Sequence, residues 1–379
     1  MLSAMKVGVI GAGNWGTTMA RHLARSNETE VLMWVKDEVD AGGESLCNII
    51  NETHENSKYL PGVILPRTLR ASRNIEEVCK ASEVLFVGVP HQFVESTLEA
   101  MAPYVDKNTI VVSLVKGMMI KRDGPELISE MISNILNLDT EVAVLMGANV
   151  ASDVARDEFV EASIGCKDAK IANIVKSLVN THTFRIDLVT ADVASAELMG
   201  AIKNVIAIGA GLCDGLGLGA STKAAVIRRG MSEMVLFRDH FCRGAPVMSR
   251  GVLLASCGVA DVVATCFGGR NRRCAEEFCR KRLCSYDTTI SPSASALLWE
   301  QIEANLLNGQ KLQGLGTCCE LVACLRNSDA KWYGDTKGSV DQANQISFDG
   351  TSLRFPLFER IHDIVINGAD PHTLLQDIG

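Results

Sequence analysis

A lysine inside an apolar helical pattern is the first residue whose type and position point to chemistry. Lys203 lies within ELMGAIKNVIAIG, and its neighbours at three and four residues' distance are Met199, Gly200, Ile206 and Ala207. Lysine is rarely buried without a purpose, and desolvation together with a second cation nearby would lower the pKa of such a lysine toward a range useful for proton exchange. Lys203 is therefore a candidate proton acceptor for the hydroxyl of a substrate. The alternative is a structural lysine whose ammonium group reaches water.

A second set of polar residues follows in SCGVADVVATCFGGRNR (256–272). Asp261 and Thr265 are four residues apart and share one face of a predicted helix, whose other positions are mostly apolar. The two glycines that follow predict the end of this helix, which would release Arg270 and Asn271 into a loop. There a guanidinium group and an amide could clamp a phosphate. Taken alone, Asp261 is better explained as a structural carboxylate and Arg270 as a surface cation.

A glycine pattern near the start of the chain predicts a dinucleotide site. Gly11, Gly13 and Gly16 form GxGxxG directly after the apolar run 5–10, and the helical pattern 14–26 follows. In such a turn the first glycine permits the bend, the second lets the backbone approach a pyrophosphate, and the third allows close packing of helix and sheet. The amides and dipole at the start of the helix attract the phosphates. A glycine turn without a ligand is the weaker interpretation.

The choice between NAD and NADP depends on the end of the second strand. Lys36 stands there beside Asp37 and Glu38. A carboxylate would bond a ribose hydroxyl, whereas a cation would accept a 2′-phosphate. We favour NAD. A second glycine cluster, at 209–219, follows a helical pattern, so it predicts close helix packing or a kink rather than a phosphate loop.

The order of the elements predicts an α/β fold. Apolar runs that recur between helical segments such as 91–102 and 125–137 indicate a parallel sheet covered on both faces. These runs are 5–10, 30–35, 83–89, 109–115 and 141–146. We expect a doubly wound Rossmann-type domain over 1–191 and a mostly α-helical domain over 192–379, where the polar stretch 326–349 predicts a surface loop.

Composition narrows the class of protein. The 379 residues carry a formal net charge of -8 and no face rich in basic and aromatic residues, which makes nucleic acid an unexpected partner. The 13 cysteines are scattered and form no CxxC pair, so we expect reduced thiols, a cytosolic location and no metal site. The sequence MLSAMKVGVI runs directly into a strand pattern, so we expect no signal peptide. The apolar tract Leu198 to Leu212 is short and carries Lys203 and Asn204, so we expect no membrane span.

Several separate motifs together resemble the NAD-dependent glycerol-3-phosphate dehydrogenases. They occur in the order found in that family and extend over residues 5–320. The motifs are GAGNWG (11–16), NETHENSKYLPG (51–62), VPHQF (89–93), LVKG (114–117), GANVASDVA (147–155), ELMGAIKNVIAIGAGLCDGL (197–216), SCGVADVVATCFGGRNR (256–272) and NGQKLQG (308–314).

The resemblance implies that Lys203 is the catalytic proton acceptor, with Lys116 and Asp261 beside it. The substrate-binding residues that it implies are Lys116, Asn204, Thr265, Arg270 and Asn271. The cofactor-binding residues that it implies are Gly11, Ala12, Gly13, Asn14, Trp15, Gly16, Phe93, Lys116 and Ala151, with Arg270, Lys311 and Gln313 approaching from the second domain. It also implies NAD as the cofactor, glycerol 3-phosphate and dihydroxyacetone phosphate as substrates, a cytoplasmic homodimer and no catalytic metal.

Three features depart from the family's usual pattern. Lys36 replaces an aromatic residue, and the stretches 283–299 and 326–349 look longer than in relatives. The longer stretches touch no motif, so we expect altered surface or oligomer contacts there. Two other functions stay open: a dehydrogenase for another small hydroxy acid, and a protein that senses the NADH/NAD ratio without turnover. The presence of Lys203, Lys116, Asp261 and Arg270 together speaks against the sensor.

Overall fold

The chain forms two compact units in the computed structural model. The structure describes residues 5–25, 29–39, 42–121, 124–190, 192–242, 248, 250–284, 287–307, 310–326 and 355–376. The first unit comprises Met1–Gly117, Leu127–Glu197 and Ser249–Ala260; the second comprises Met118–Glu126, Leu198–Met248 and Asp261–Gly379. These units are not contiguous in sequence, and the boundary expected between 191 and 192 stays a prediction about the domains.

The first unit is built around an eight-stranded sheet in the order β10-β9-β8-β5-β4-β1-β2-β3. The strands of the chain are β1 (Met5–Ile10), β2 (Thr29–Trp34), β3 (Leu69–Ser72), β4 (Val84–Val87), β5 (Ile110–Ser113), β6 (Met118–Lys121), β7 (Gly124–Leu127), β8 (Ala143–Met146), β9 (Val160–Gly165) and β10 (Phe184–Val189). Every residue of β4 and β8 is buried, as expected for strands covered on both faces. β6 and β7 pair with each other in a separate two-stranded sheet.

The sheet confirms the predicted Rossmann-type α/β class and corrects it in one place. β1, β2, β3, β4, β5 and β8 pair in parallel, but β9 runs antiparallel to β8. The apolar-run criterion missed β3, β9 and β10, because LRAS, VEASIG and FRIDLV each contain polar or charged residues. In β10 the charged residues Arg185 and Asp187 are exposed and alternate with less exposed ones, which is the pattern of a strand with one exposed face. In β9 only Glu161 is exposed, and Ser163 is buried.

Fifteen α-helices occur in the described part of the chain. They are α1 (Asn14–Leu23), α2 (Leu46–Thr53), α3 (Ile75–Ala81), α4 (Val94–Met101), α5 (Ile128–Leu136), α6 (Ala151–Ala155), α7 (Ala169–Val179), α8 (Val193–Gly215), α9 (Ala220–Phe241), α10 (Arg250–Leu254), α11 (Asp261–Gly268), α12 (Arg270–Leu283), α13 (Pro292–Leu307), α14 (Gln313–Arg326) and α15 (Pro356–Val365). The mostly helical second half is confirmed. The predicted loop at 326–349 lies, beyond Arg326, outside the described residues.

Two predicted helices differ from the observed ones at their ends. α1 ends at Leu23 rather than at 26, and the segment 125–137 begins as strand β7, with α5 starting only at Ile128. The buried Glu197 carboxylate fixes this start, because it accepts hydrogen bonds from the Ser129 amide at 3.0 Å and the Ser129 hydroxyl at 2.6 Å. A cap from 68 residues away leaves no local signal in the sequence.

A short segment from the second half of the chain completes the first unit. Ser256 Oγ accepts a hydrogen bond from the Ala148 amide at 3.2 Å. The Cys257 amide donates to Ser163 Oγ, on β9, at 3.1 Å. These two contacts hold 249–260 against the loop after β8 and against β9. We call this segment, 249–260, the strap.

α8 is the longest helix in the described part of the chain, and from Leu198 onward it is a buried helix of the second unit. It passes the length and composition test for a membrane span, yet its most apolar 18-residue window is 100% buried, and core helices of soluble proteins pass the same test. It has 23 residues, so the expectation that the tract is too short is corrected. A Cβ added to Gly211 would lie 2.2 Å from the Arg272 carbonyl oxygen, and one on Gly215 would lie 2.4 Å from Cys279 Cβ. The second glycine cluster therefore serves close packing against α12, one of the two predicted roles.

Candidate active site

The glycine turn after β1 has the geometry that its spacing predicts. Gly11 has a φ of +110°, a left-handed conformation that favours glycine. A Cβ on Gly16 would lie 2.0 Å from the Gly11 carbonyl oxygen, so only glycine allows α1 to start this close to the strand. An added Cβ on Gly13 meets nothing within 4 Å. The turn is therefore closely packed between Gly11 and Gly16 and open at Gly13.

The open side of the turn suits a pyrophosphate. The first amides of α1, from Asn14 onward, have no acceptor within the helix and point toward its N-terminal end. Trp15 Nε1 is buried, with no hydrogen-bond partner among the described residues. The Asn14 side chain donates to the Tyr59 carbonyl at 2.7 Å, which holds the start of α1 against the segment that contains Tyr59. Ala12 is buried, and its carbonyl accepts from Thr17 Oγ1 and Asn56 Nδ2. These residues fit a dinucleotide.

The other residues predicted to line this site lie around the same edge of the sheet. Phe93 follows β4 in a short 3-10 turn and is 47% exposed, which is high for a large apolar side chain. Ala151 begins α6, and its carbonyl oxygen lies 3.5 Å from Thr18 Oγ1 on α1. Lys36, two residues beyond β2, places its Nζ 5.2 Å from the centre of the Phe93 ring. The first unit thus brings the predicted dinucleotide residues to the carboxyl ends of β1, β2, β4 and β8.

Lys116 is held by the turn that follows β8. Its Nζ donates to the Gly147 carbonyl at 3.1 Å and to Asn149 Oδ1 at 3.2 Å. Asn149 is 5% exposed, and its Nδ2 has no hydrogen-bond partner in the described part of the chain. The placement of Lys116 beside Lys203 and Asp261 stays a prediction, because those residues belong to the other unit.

The predicted proton acceptor lies in a buried polar cluster of the second unit. Lys203 on α8 is 5% exposed, and its Nζ donates to Asp261 Oδ1 and, at 2.8 Å, to Thr265 Oγ1. Asp261 and Thr265 present one face of α11, as their spacing predicts. The water-exposed lysine considered as an alternative is wrong. The charged group that pairs with Lys203 is the Asp261 carboxylate, which stabilises the ammonium form electrostatically.

A chain of hydrogen bonds continues from the residue after Lys203. Asn271 Nδ2 donates to Asn204 Oδ1 at 3.0 Å, and the Gly314 amide donates to Asn271 Oδ1 at 3.1 Å. Both asparagines are buried. A Cβ on Gly314 would lie 2.6 Å from Asn271 Oδ1, so this glycine permits the contact. Three helices, α8, α12 and α14, thereby fix the Asn271 side chain.

The expected loop around Arg270 and Asn271 is absent. Gly269 caps the next helix, and Arg270 is the first residue of α12. The two glycines end α11 as predicted, but its successor begins at once, so Arg270 and Asn271 lie in a helical first turn. This setting adds free backbone amides and the positive end of the helix dipole to the guanidinium group, which strengthens the case for an anion site. Arg270 Nη1 donates to Gln310 Oε1 at 3.0 Å.

The loop before α14 is anchored by a buried carboxylate. Glu303 on α13 is 4% exposed; its Oε1 accepts from the Leu312 amide at 2.9 Å, and its Oε2 lies 2.8 Å from Lys311 Nζ. The loop includes Gln310, which meets Arg270, and ends at Gln313, the first residue of α14. Sequence reasoning missed Glu303, which lies in an ordinary helical pattern.

Sequence reasoning also missed Asn149 and Gln310 as individual residues. Both lie inside motifs that carry the resemblance, GANVASDVA and NGQKLQG, so the signal was present without a role attached to either side chain. Their contacts with Lys116 and Arg270 now provide one.

Together these sites define the chain as a dinucleotide-dependent oxidoreductase of the Rossmann class with a helical second half. Residues 6–172 match the family profile "NAD-dependent glycerol-3-phosphate dehydrogenase N-terminus", and residues 192–376 match the corresponding C-terminus profile. The chain belongs to the NAD-dependent glycerol-3-phosphate dehydrogenase family.

Individual relatives agree with this family. The chain is 40% identical over 374 residues to the cytoplasmic glycerol-3-phosphate dehydrogenase [NAD(+)] of Rattus norvegicus, covering 97% of this chain and 95% of that protein. A glycerol-3-phosphate dehydrogenase structure from Plasmodium falciparum superposes with a TM-score of 0.81 at 32% identity, covering 99% and 95% of the two chains. The Dunaliella salina structure gives a TM-score of 0.84 at 35% identity; it covers 99% of this chain, which spans only 60% of that longer protein.

Proposed function

We propose that this protein catalyses the reversible oxidation of sn-glycerol 3-phosphate by NAD⁺ to dihydroxyacetone phosphate and NADH. The observation that carries the proposal is the buried Lys203, held by Asp261 and Thr265 on an otherwise apolar helix face. The names of the relatives supply the substrate and the cofactor. The fit of the glycine turn to a pyrophosphate independently supports a dinucleotide cofactor.

The cofactor, when bound, supplies the site that accepts or returns hydride at the substrate's C2 carbon. The residues that we assign to holding it are Gly11, Ala12, Gly13, Asn14, Trp15, Gly16, Phe93, Lys116 and Ala151, with Arg270, Lys311 and Gln313 from the second unit. Gly11, Gly13 and Gly16 let the backbone reach the pyrophosphate, as their geometry allows. Lys311 and Gln313 depend on the loop that Glu303 anchors.

We assign the proton transfer to Lys203. Oxidation releases the proton of the C2 hydroxyl, which the neutral amine of Lys203 accepts; in the reverse direction the ammonium returns this proton to the ketone oxygen. Asp261 stabilises the ammonium that forms, and Thr265 orients Nζ through the 2.8 Å hydrogen bond. Lys116 completes the catalytic group in this proposal.

We assign the phosphate of the substrate to the start of α12. Arg270 supplies a guanidinium group, and the first-turn amides supply further donors. Asn271 and Asn204, buried and hydrogen-bonded to each other, shape the floor of this site. We extend the proposal to a cytoplasmic homodimer, on the names of the relatives and the resemblance alone; light scattering of the purified protein tests the dimer.

The proposed activity is tested by following NADH oxidation, at about 340 nm, with dihydroxyacetone phosphate as substrate. We expect turnover with this substrate and little with unphosphorylated dihydroxyacetone, because the latter has no phosphate for Arg270 to bind. The Arg270→Ala variant should raise KM for dihydroxyacetone phosphate more than it lowers kcat. Preference for an unphosphorylated hydroxy acid would replace the substrate, and NADH binding without any turnover would favour the sensor.

A further inference from the structure

Around the carboxyl end of β2, three described cations, Lys36, Lys58 and Arg73, accompany two described carboxylates, Asp37 and Glu38. Asp37 pairs with Arg73 at 3.3 Å. Glu38 Oε2 accepts from Lys58 Nζ at 2.7 Å and from the Tyr59 hydroxyl at 2.9 Å. Partial burial acts to raise the pKa of Glu38, but the hydrogen bonds from Lys58 and Tyr59 outweigh it and lower that pKa. Asp37 and Glu38 are therefore both engaged by partners.

Lys36 is the described cation of this region that forms no ion pair within 4 Å of a described carboxylate. It is exposed, its charge acts on Glu38 electrostatically, and its Nζ lies over the face of the Phe93 ring. Phe93 follows β4, and the sheet order places β1 between β2 and β4. A contact from beyond β2 to beyond β4 therefore crosses the carboxyl end of β1, where the glycine turn begins. The Lys36 ammonium lies at the edge where the turn presents its open side.

The chemistry of this position separates the two nicotinamide dinucleotides. In this fold a carboxylate after the second strand bonds the 2′-hydroxyl of the adenosine ribose and repels a 2′-phosphate, whereas a nearby cation accepts that phosphate. Here the described carboxylates Asp37 and Glu38 are engaged by Arg73, Lys58 and Tyr59, whereas Lys36 interacts with Glu38 through its charge without a hydrogen bond to it. A cation over an aromatic face keeps its hydrogen-bond donors, so it can bind a phosphate without breaking an ion pair.

We propose that Lys36 forms a subsite for the 2′-phosphate of NADP(H), so that this protein binds NADPH as well as NADH. The inference rests on the proposed function, because it concerns the same dinucleotide site. It assigns the binding of NADPH to one side chain in the first unit, and the reaction that the protein catalyses is unchanged.

The test is a titration of the purified protein with NADH and with NADPH, in which bound dinucleotide is measured by calorimetry or nicotinamide fluorescence without substrate. In the wild type we expect the Kd for NADPH to lie within about tenfold of the Kd for NADH. Lys36→Glu should weaken NADPH binding by about 30-fold or more, because attraction becomes repulsion, and should change NADH binding by less than about threefold. The Kd of Lys36→Gln for NADPH should lie between the values of the wild type and of Lys36→Glu.

A matched control is Lys107→Glu, which makes the same charge change at an exposed residue just before the amino end of β5, whereas Lys36 follows the carboxyl end of β2. It should leave both dissociation constants unchanged. The inference is overturned if NADH binds and NADPH does not, or if Lys36→Glu leaves the ratio of the two constants at its wild-type value. Failure of both dinucleotides to bind would instead overturn the proposed function and remove the inference with it.

Discussion

The glycine turn and the lysine cluster are built in opposite ways. The turn consists of consecutive residues, Gly11 to Gly16, and its shape depends on where side chains are missing. The cluster joins Lys203 to Asp261 and Thr265, which lie 58 and 62 residues away, and side chains make all its contacts. A local feature defined by the backbone can be found by its spacing. A cluster that tertiary structure assembles shows itself in sequence only as single polar residues in apolar surroundings.

The largest expected effect tests the chemical half of this comparison. Lys203→Ala should lower kcat by about 10²- to 10⁴-fold, the usual contribution of a positioned proton-transfer group, while NADH binding changes little. Steady-state kinetics and a dinucleotide titration measure the two separately. The matched control is Lys281→Ala, an exposed lysine on α12 that pairs with Glu277, which should keep near-normal turnover. Near-normal turnover of Lys203→Ala would remove the lysine from the mechanism.

Two substitutions of the same size distinguish the packing role of the glycine turn from its role in binding the cofactor. Gly16→Ala places its Cβ against the Gly11 carbonyl, so we expect lost stability of about 1–3 kcal/mol together with lost NADH affinity. Gly13→Ala meets no protein atom within 4 Å, so its Tm should stay unchanged while NADH affinity falls. Thermal melts and NADH titrations distinguish the two. If Gly13→Ala binds NADH like the wild type, the pyrophosphate does not lie against this turn.

A smaller effect is expected from the carboxylate that anchors the loop before α14. Glu303→Ala removes the acceptor of the Leu312 amide and the partner of Lys311, so the loop that contacts Arg270 through Gln310 should loosen. We expect KM for dihydroxyacetone phosphate to rise about tenfold with kcat less affected. Glu303→Gln keeps an oxygen for the amide and should recover most of this loss. Equal defects in both variants would mean that the ion pair, not the backbone contact, positions the loop.

The smallest effect on activity is expected from Glu197, and it appears as a pH dependence of stability. Burial raises the pKa of this carboxyl from the ordinary 4.5 to about 7, although the Ser129 hydrogen bonds oppose the shift. Between these values the folded protein retains a proton that the unfolded chain has released, so the free energy of unfolding falls as pH rises through this window.

Glu197→Gln has no such titration. The Tm difference between pH 5 and pH 7.5 should therefore be about 2–6 °C smaller in this variant than in the wild type. Calorimetry at the two pH values measures it. An unchanged difference would show that Glu197 does not titrate in this range.

The predictability of the fold follows the same division. The apolar strands β1, β2, β4, β5 and β8 and the glycine turn were predicted because their signals are local. The strands β3, β9 and β10 were missed because their polar residues interrupt the apolar runs, and the reversal at β9 depends on partners far away in sequence. The start of α5 was missed because a distant carboxylate caps it.

The candidate site was predictable in its members and not in its contacts. Lys203, Asp261 and Thr265 stood out by type and spacing, but their mutual hydrogen bonds required the fold. The prediction that Arg270 lies in a loop was wrong, because Gly269, the second of the two glycines that follow α11's apolar run, also caps α12. Glu303 left no signal, since a glutamate in an amphipathic helix is ordinary until its burial is known.

The strap has a consequence for how the protein folds during its synthesis on the ribosome. The first unit includes residues 249–260, whose Ser256 and Cys257 contact the loop after β8 and β9. The nascent chain must therefore reach residue 260 of 379 before the sheet unit has all its parts. By then α9 and most of α8, which belong to the other unit, have already been synthesised. The protein consequently cannot finish one unit before beginning the next, as a chain of simple tandem domains can during translation.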